Sequence, residues 1–272
     1  VYSLDVFDRD LNALLGDPGI QKISHNLKEA KLFLLKNNLG LEGLHFDTML
    51  AAYLLDSSVV DSSLEGLAFK YLGEYYPQGS QRPEQELDIV CRLTPIFQQK
   101  LKDNLQEELL YKLELPLVDV LVSMQNNGVC LDRLALNSLS ETLEKRLIEL
   151  RDEIYGFNEG SEFNLNSPKQ LAVVLFERLK LPIIKKTKTG ISTDEEVLRK
   201  LSKKHKIAES LLEYRGLTKM KNTYVDALPN FIDPKTNRIH ANFDQIGTET
   251  GRLSSSRPNL QNIPVKGDIA SI

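Results

Sequence analysis

The sequence predicts an α/β region followed by a mainly helical region. Up to residue 103, short apolar segments alternate with helical patterns: Gln21–Ile23 has the character of a strand, and Ala30, Phe33 and Leu34 share a helical face after it. From Leu105 onward, apolar residues recur at helical spacing over longer stretches. Strands that alternate with helices are typical of α/β domains. We therefore expect two domains, residues 1–103 and 104–272.

The first region contains further helix signals. A helix is predicted from Thr48 through Leu55, and Ser62 with Glu65 forms a capping box that predicts another. The segment Tyr75–Pro83 is rich in proline, glycine and serine, so we expect a loop there. These signals complete the α/β pattern.

The second region has helix starts and one strand pair. An apolar stripe from Leu109 to Met124 predicts a helix with a kink at Pro116. Asp132 and Ser167-Pro168 are N-terminal signals for two later helices. Residues 231–243 enclose the turn-forming run Asp-Pro-Lys-Thr-Asn, which predicts a β-hairpin.

Composition excludes several classes of protein. Hydrophobic residues make up 41% and charged residues 26%, the balance of a globular protein with a core. No apolar run approaches the roughly 18–20 residues of a membrane span, so we expect no membrane partner and a cytoplasmic location. Cys91 and Cys130 stand far apart, and we expect two reduced, partly buried thiols.

Charge is unevenly distributed although the formal net charge is only −4. Residues 1–103 carry ten basic and fifteen acidic side chains, whereas Lys169–Arg238 carries sixteen basic and eight acidic ones. Such a basic segment is either a solvated face or a surface for phosphates. Charge alone favours the solvated face.

One motif near the C-terminus carries more information than any other segment. It runs from Thr248 to Pro264 and reads T-E-T-G-R-L-S-S-S-R-P-N-L-Q-N-I-P. Gly251, Pro258 and Pro264 keep it from forming a helix, and Arg252, Asn259 and Gln261 supply hydrogen-bond donors.

Donors of this kind suit the minor groove of a newly formed base pair. Purine N3 and pyrimidine O2 are acceptors common to all correct pairs, so a protein can grip a primer end without reading its sequence. The alternative is a polar loop whose asparagine and glutamine only satisfy backbone groups.

The motif resembles the signature T-x-T-G-R-L-S-S-x-x-P-N-L-Q-N-I-P of family A DNA polymerases at every fixed position. This resemblance favours the groove interpretation over the polar loop. It also extends upstream: Phe163–Leu171, Lys185–Val197 and Tyr214–Tyr224 are similar to the family's thumb. The implied fold is a ribonuclease H-like exonuclease domain followed by a helical thumb and the first strands of the palm.

The resemblance also implies a DNA-binding set on the thumb. Basic side chains there neutralise phosphates and so position the duplex. With the three motif donors, the predicted DNA-binding residues are Arg252, Asn259, Gln261, Lys185, Lys186, Lys188, Arg215, Lys219, Lys221 and Asn222.

Residues 1–103 resemble the family's 3′–5′ proofreading domain, but most of its acids do not match. Two-metal chemistry needs a cluster of carboxylates. The first acidic motif is absent, Ala30 stands at the acid of the second, and Arg82 and Glu86 align with the third, while Asp47 matches. We expect no metal site and no proofreading, with Glu29 as a substitute ligand being the less favoured alternative.

The polymerase chemistry of the family depends on palm aspartates, which follow the signature downstream. We therefore expect no catalytic residue within residues 1–272 and no cofactor bound to them, and Mg²⁺ in the full-length enzyme. The expected partners are primer-template DNA and, for the full-length enzyme, deoxynucleoside triphosphates; we expect a monomer. The rival functions are an active 3′–5′ exonuclease and a non-catalytic DNA-binding module.

Overall fold

Two compact units make up the protein in a computed structural model that describes residues 9–58, 61–76, 83–187 and 190–263. The first unit contains the described residues up to Val129 together with Ile239–Asn262. The second contains Cys130–Arg238 and Ile263. The C-terminal segment therefore packs with the N-terminal region, across a large separation in sequence. This division differs from the predicted one at 103/104, which concerns domain identity and stays a prediction.

Helices form most of both units. They are α1 (Arg9–Gly16), α2 (Leu27–Lys36), α3 (Thr48–Leu55), α4 (Leu64–Leu72), α5 (Pro83–Asp103), α6 (Glu107–Leu109), α7 (Leu115–Asn127), α8 (Arg133–Gly156), α9 (Pro168–Ala172), α10 (Glu195–Ser202) and α11 (Lys206–Met220). The strands are short: β1 (Lys22–Ser24), β2 (Leu44–Asp47), β3 (Val129–Cys130), β4 (Lys186–Thr187), β5 (Gly190–Ile191), β6 (Ile232–Asp233), β7 (Arg238–Ile239), β8 (Asn242–Asp244) and β9 (Ser254–Ser256).

The first unit is built on a parallel pair of strands, β1 and β2, with Ile23 opposite Phe46 and Ser24 opposite Asp47. Strand β2 runs directly into α3, and β1 leads into α2 through His25 and Asn26. Phe46 is fully buried between these elements. The predicted α/β character of this region is confirmed, and the helix predicted at Thr48–Leu55 has those bounds.

The start of α4 differs by one residue from the prediction. Ser63, not Ser62, is the N-cap, and its Oγ accepts a hydrogen bond of 3.1 Å from Gly66 N. Asp61 Oδ1 accepts from Ser63 N at 3.0 Å. This bond fixes the backbone of Ser63 at the helix entrance, so the second serine of the pair takes the capping position.

The predicted kink at Pro116 stays a prediction, and the helical run that contains this proline is not uniformly α-helical. A π-helical segment, Leu110–Glu114, separates α6 from α7, and Pro116 lies in the first turn of α7. The backbone stays helical across this boundary, and Leu115 N donates to Leu110 O in the π register. Pro116, which has no N–H to donate, therefore lies where the hydrogen-bond register changes from π to α.

The second unit centres on the packing of α8 and α10 against α11. Its core includes Ile154 from α8, Leu198 from α10 and Leu211 from α11. The predicted helix starts are confirmed: Asp132 Oδ1 accepts from Ala135 N at 3.0 Å, and Ser167 is the N-cap of α9. The unit is mainly helical, as expected.

The hairpin predicted over 231–243 is shorter than expected. Neighbouring strands β6 and β7 form it, and the turn is closed by Asn237 N, which donates to Asp233 O at 2.8 Å. The second predicted strand ends at Ile239, and β8 pairs antiparallel with β9 instead. Strand β9 of this second pair lies in the signature motif, and the sequence did not predict it as a strand.

Two predictions made from the composition can be compared with the structure. Cys91 and Cys130 are both exposed, so the expectation of partly buried thiols was wrong. Cys91 lies on the solvent-exposed side of α5, and Cys130 lies on the exposed strand β3. No helix among the described residues has the length and apolarity that a bilayer crossing requires.

Candidate nucleic-acid interface

The signature motif forms an exposed segment on the first unit. Arg252, Asn259 and Gln261 are all exposed, whereas Ser255 between them is 5% exposed. The Ser255 hydroxyl donates to Pro258 O and accepts from Leu260 N, both at 3.2 Å. This buried hydroxyl folds the segment back on itself, so the three predicted donors share one short surface stretch.

Two of these donors make hydrogen bonds within the segment. Gln261 Nε2 donates to Leu253 O at 2.9 Å, and Asn259 Oδ1 accepts from Gln261 N at 3.0 Å. Both contacts are of the kind that the polar-loop alternative predicts. An amide group has further hydrogen-bonding capacity beyond one such bond, so the contacts leave a groove role open.

A buried lysine holds the strand that leads into the motif. Lys28, on α2, is 7% exposed, and its Nζ donates to Gln125 Oε1 at 3.2 Å and to Asn242 Oδ1 at 3.0 Å, and also to Phe243 O. Gln125 Oε1 in turn accepts from Phe243 N at 3.1 Å. A buried ammonium group needs acceptors of this kind because desolvation alone would be costly. Strand β8 is therefore fixed to α2 and α7.

Two further buried side chains, Gln245 and Tyr53, fix the neighbouring backbone in the same way. Together with Lys28 they form what we call the buried mount of the segment. Gln245 is buried and donates from Nε2 to Glu114 O at 3.0 Å and to Glu114 Oε2 at 2.8 Å. Burial raises the pKa of Glu114, and the bond from Gln245 opposes this effect. Tyr53 Oη donates to Thr248 O at 2.8 Å and accepts from Gly251 N at 3.1 Å. No local sequence pattern identifies Lys28, Tyr53 or Gln245 as residues that hold the segment, because the partners described here lie 97 or more positions away.

The described residues of the predicted basic set lie in the second unit: Lys185 directly before β4, Lys186 on β4, Arg215 and Lys219 on α11, and Lys221 and Asn222 on the π-helical segment Lys221–Val225. Lys185, Lys186, Lys219 and Asn222 are exposed. Lys188 lies outside the described residues. The structure thus brings part of this set to the surface.

Three of the predicted cations already have protein partners. Lys185 Nζ lies 2.9 Å from Asp194 Oδ2, and this bond is the largest cause of a pKa of Asp194 well below its usual range. Lys221 Nζ lies 2.7 Å from Asp226 and 3.4 Å from Glu144. Arg215 donates from Nη1 to Thr193 O, and burial lowers its pKa. Binding of a phosphate by these three requires exchange of partners or sharing of the cation.

Arg215 also borders an open cavity of about 970 Å³ in the second unit. Its polar lining includes Asn166, Lys169, Thr193 and Asp194. The cavity is an open depression beside β5 that is lined by both polar and apolar side chains.

Asp47 matches an acid of the proofreading pattern, yet its carboxylate is occupied. It is 1% exposed, and its two oxygens accept from Asn26 N, Leu27 N, Met49 N and Leu50 N at 3.1, 2.6, 2.8 and 3.2 Å. These amides belong to the first turns of α2 and α3 and to the residue before α2. The carboxylate joins two helix starts and has little capacity left for a metal ion.

The surrounding groups do not form a metal centre. A cavity of about 530 Å³ in the first unit is lined by polar residues that include His25, Ser63, Glu65 and Glu86. Glu29, the substitute ligand considered above, is not among its lining residues and lies 3.5 Å from Lys28 Nζ. Within the described ranges, no group of three or more His, Cys, Asp or Glu side chains could hold a metal ion. Arg82 lies outside the described residues.

His25 in this cavity is a mostly buried imidazole. Its Nδ1 lies 3.0 Å from Thr48 Oγ1. Burial is the largest effect and lowers the pKa of His25, while the charges of Asp47 and Glu65 and a backbone hydrogen bond at Ser62 oppose it.

Comparison with known proteins decides the family. Residues 133–271 match the model of DNA polymerase family A. The chain belongs to DNA polymerase family A. Residues 2–75 match the ribonuclease H-like domain of DNA polymerase I, which confirms the predicted exonuclease-like fold of the N-terminal region.

Individual family A members agree with this assignment. DNA polymerase I of Geobacillus stearothermophilus is 38% identical over 272 residues, which cover 93% of this chain and 31% of that protein. The thermostable DNA polymerase I of Thermus thermophilus is 45% identical over 225 residues, or 81% of this chain and 26% of the relative. The chain thus spans less than a third of the length of these relatives.

A solved family A structure has the same fold. The POL domain of Pol1 from M. smegmatis, in complex with DNA primer-template and dNTP, superposes with a TM-score of 0.87 at 34% identity. The match covers 98% of this chain and 48% of that one. The helical thumb and the start of the palm predicted from the motif are consistent with this agreement in fold.

Proposed function

We propose that this chain is part of a DNA-directed DNA polymerase that synthesises DNA on a template during replication and repair. The single observation that carries the proposal is the exposed signature segment with Arg252, Asn259 and Gln261. Hydrogen bonds from the buried side chains of Lys28 and Tyr53 hold this part of the chain in place. The names of the relatives, all DNA polymerase I, support it. The chain's own part is to hold the primer-template duplex.

In this proposal the segment grips the primer terminus from the minor groove. Arg252, Asn259 and Gln261 donate to acceptors that all correct base pairs share, and a mispair displaces those acceptors. The internal bonds of Asn259 and Gln261 keep their side chains in defined positions before DNA arrives. A fixed donor loses less conformational entropy on binding than a free one.

The thumb residues act on phosphates in this proposal. Lys185, Lys186, Lys188, Arg215, Lys219, Lys221 and Asn222 form the backbone-binding set, and the exposed Lys219 is its simplest member to test. Removal of a single phosphate contact lowers the slope of log affinity against log salt by about 1. Lys219→Ala should show this change in duplex titrations, whereas Lys235→Ala in the hairpin turn should not. An unchanged slope for Lys219→Ala would remove this residue from the set.

The cofactor and the nucleotide belong to the whole enzyme. We propose Mg²⁺ and deoxynucleoside triphosphates for it, since this chemistry needs clustered carboxylates. Asp47 does not fit such a role, because its buried carboxylate already accepts four backbone amides. We further propose a cytoplasmic monomer, as expected from the sequence.

The central test compares two exposed arginines of the same segment in the full-length enzyme. Arg252→Ala should lower primer extension about tenfold, the effect of losing one charge-assisted hydrogen bond, and should change duplex affinity far less. Arg257→Ala, at a variable position of the signature, serves as the control. Equal losses of extension and of duplex binding for Arg252→Ala would refute its role at the primer end.

The first rival is an active 3′–5′ exonuclease. It predicts degradation of labelled single-stranded DNA by this chain with Mg²⁺ or Mn²⁺, whereas the proposed loss of proofreading predicts an intact substrate. The four backbone bonds of Asp47 favour the loss. Metal-dependent shortening that Glu86→Gln abolishes would establish the rival.

The second rival is a DNA-binding module without catalysis. It predicts that the gene has a stop codon directly after Ile272 and that the protein binds primed duplex without extending it. The polymerase proposal predicts extension by the gene's full-length product.

A further inference from the structure

Tyr53 joins α3 to the turn that precedes Arg252, and all of these residues lie in the first unit. The tyrosine is 7% exposed, so its ring is enclosed by the core and its hydroxyl reaches the signature segment. That hydroxyl uses both of its capacities: it donates to Thr248 O at 2.8 Å and accepts from Gly251 N at 3.1 Å.

The two backbone groups that it joins are those that a β-turn normally joins directly. In a four-residue turn, the carbonyl of the first residue accepts from the N–H of the fourth. Thr248 and Gly251 hold these two positions, and the tyrosine hydroxyl lies between them. Gly251 has a φ of +75°, a left-handed conformation that glycine adopts without strain.

A second bond closes the same turn on the other side. Thr248 Oγ1 donates to Arg252 O at 2.8 Å, so the backbone of Arg252 is attached to the residue that Tyr53 holds. The backbone immediately before and at Arg252 is thereby fixed, which sets the direction in which its exposed side chain leaves the segment.

We infer that Tyr53 is a positioning residue for Arg252, and hence that the exonuclease-like region, residues 2–75, contributes to nucleotide addition by aiming a donor at the primer terminus. This inference rests on the proposed function of Arg252. It assigns a polymerase role to a side chain of a region for which proofreading is proposed to be lost. A small displacement of a donor that acts at the reacting end reduces the rate of chemistry more than it reduces binding.

The test is a double-mutant cycle in the full-length enzyme. Tyr53→Phe, Arg252→Ala and the combined variant are compared with wild type for kcat of single-nucleotide extension and Kd for primed duplex, after circular dichroism has verified folding. The matched control is Tyr76→Phe, which removes a hydroxyl that donates to Glu74 at 2.7 Å within the same unit and makes no hydrogen bond to the described residues of the segment.

Tyr53→Phe should lower kcat about tenfold and leave duplex Kd within about twofold. In the Arg252→Ala background it should lower kcat by no more than about twofold, because its effect passes through that side chain. Tyr76→Phe should stay close to wild type in both measurements.

Two results would overturn the inference: wild-type extension by Tyr53→Phe, or losses that multiply fully in the combined variant. If Arg252→Ala lowers extension and Tyr53→Phe does not, only the role of Tyr53 falls. If Arg252→Ala itself leaves extension unchanged, the proposed function of Arg252 falls and the positioning role falls with it.

Discussion

The signature segment and the basic surface of the thumb position their polar groups in opposite ways. The segment is fixed by buried side chains far away in sequence, such as Lys28 and Tyr53, through bonds that span 214 and 195 positions. The basic surface includes exposed ion pairs between residues that are close in sequence, such as Lys185 with Asp194 nine positions later. Buried bonds determine a geometry, whereas exposed pairs exchange readily with solvent and salt.

This difference fits the two tasks that we propose. A donor that inspects a base pair must be held in place, because its selectivity depends on where the acceptor lies. A cation that neutralises phosphate needs charge and reach more than a fixed position. The contrast predicts large effects for substitutions in the buried mount of the first unit and small effects for those at the surface of the second.

The largest effect is expected at Asp47. Asp47→Ala leaves amides at the starts of α2 and α3 without their acceptor, and we expect a loss of about 1–4 kcal/mol, the sum of two helix caps. Urea unfolding followed by circular dichroism measures it. Asp56→Ala, at the exposed end of α3, is the control and should lower the free energy of unfolding much less, because its bonds to Ser58 and Lys70 are exposed to solvent. A comparable loss in both variants would contradict the capping role.

Lys28→Met should come next. The substitution keeps an apolar chain of similar length and removes the ammonium, which leaves acceptors on Asn242 and Phe243 unpaired at a cost of about 1–3 kcal/mol. Hydrogen exchange should show faster opening of β8. Lys36→Met on the exposed face of the same helix should change stability by no more than about 0.5 kcal/mol. Unaltered exchange in β8 would show that the lysine does not hold the strand.

A smaller effect is expected from His25, because it involves a single proton. Burial lowers its folded pKa below 6.5, so the unfolded chain binds more protons between the two values. The free energy of unfolding should therefore fall as pH drops below 6.5 toward the folded pKa, and be insensitive to this group above 6.5. Urea unfolding at several pH values measures the slope. His25→Gln should flatten it, and a slope that persists in this variant would assign the effect to other groups.

The smallest effect is expected for a well-formed surface pair in the second unit. Arg146 binds Glu213 through two bonds of 2.7 and 3.0 Å and thereby links α8 with α11, yet the side chains are 42% and 40% exposed. We expect a coupling free energy of about 0.2–1 kcal/mol that declines in salt. A double-mutant cycle with Arg146→Ala and Glu213→Ala isolates it, since Arg146 also contacts Glu149. Coupling as large as the Lys28 effect would abolish the contrast between the units.

Local signals in the sequence predicted those elements that local chemistry determines. Thr48–Leu55, the Asp132 cap and the start at Ser167 depend on neighbours within a few residues, and each was predicted correctly. The long helix α5 was not predicted, because it contains Pro95, and interior proline normally breaks a helix. Strand β9 was missed because its pairing with β8 is a tertiary contact within a motif rich in turns.

The site divides in the same way. Arg252, Asn259 and Gln261 were found through a motif, and the structure places all three at the surface. Their mount could not be predicted, since Lys28 and Tyr53 lie in patterns typical of ordinary helices. The sequence also does not show that Lys221 has ion-pair partners, because only the fold brings Asp226 and Glu144 to its ammonium group.

The hydrogen bonding of Asp47 affects how proofreading ability is judged when sequences are compared across the family. A survey that grades proofreading competence by counting matched acids would credit this residue, although its oxygens serve the peptide backbone of two helices. Such a survey would be more accurate if each aspartate were scored by the lone pairs that remain open to an ion. By that measure Asp47 is a structural residue that joins two helix starts, and it would not be counted as a metal ligand.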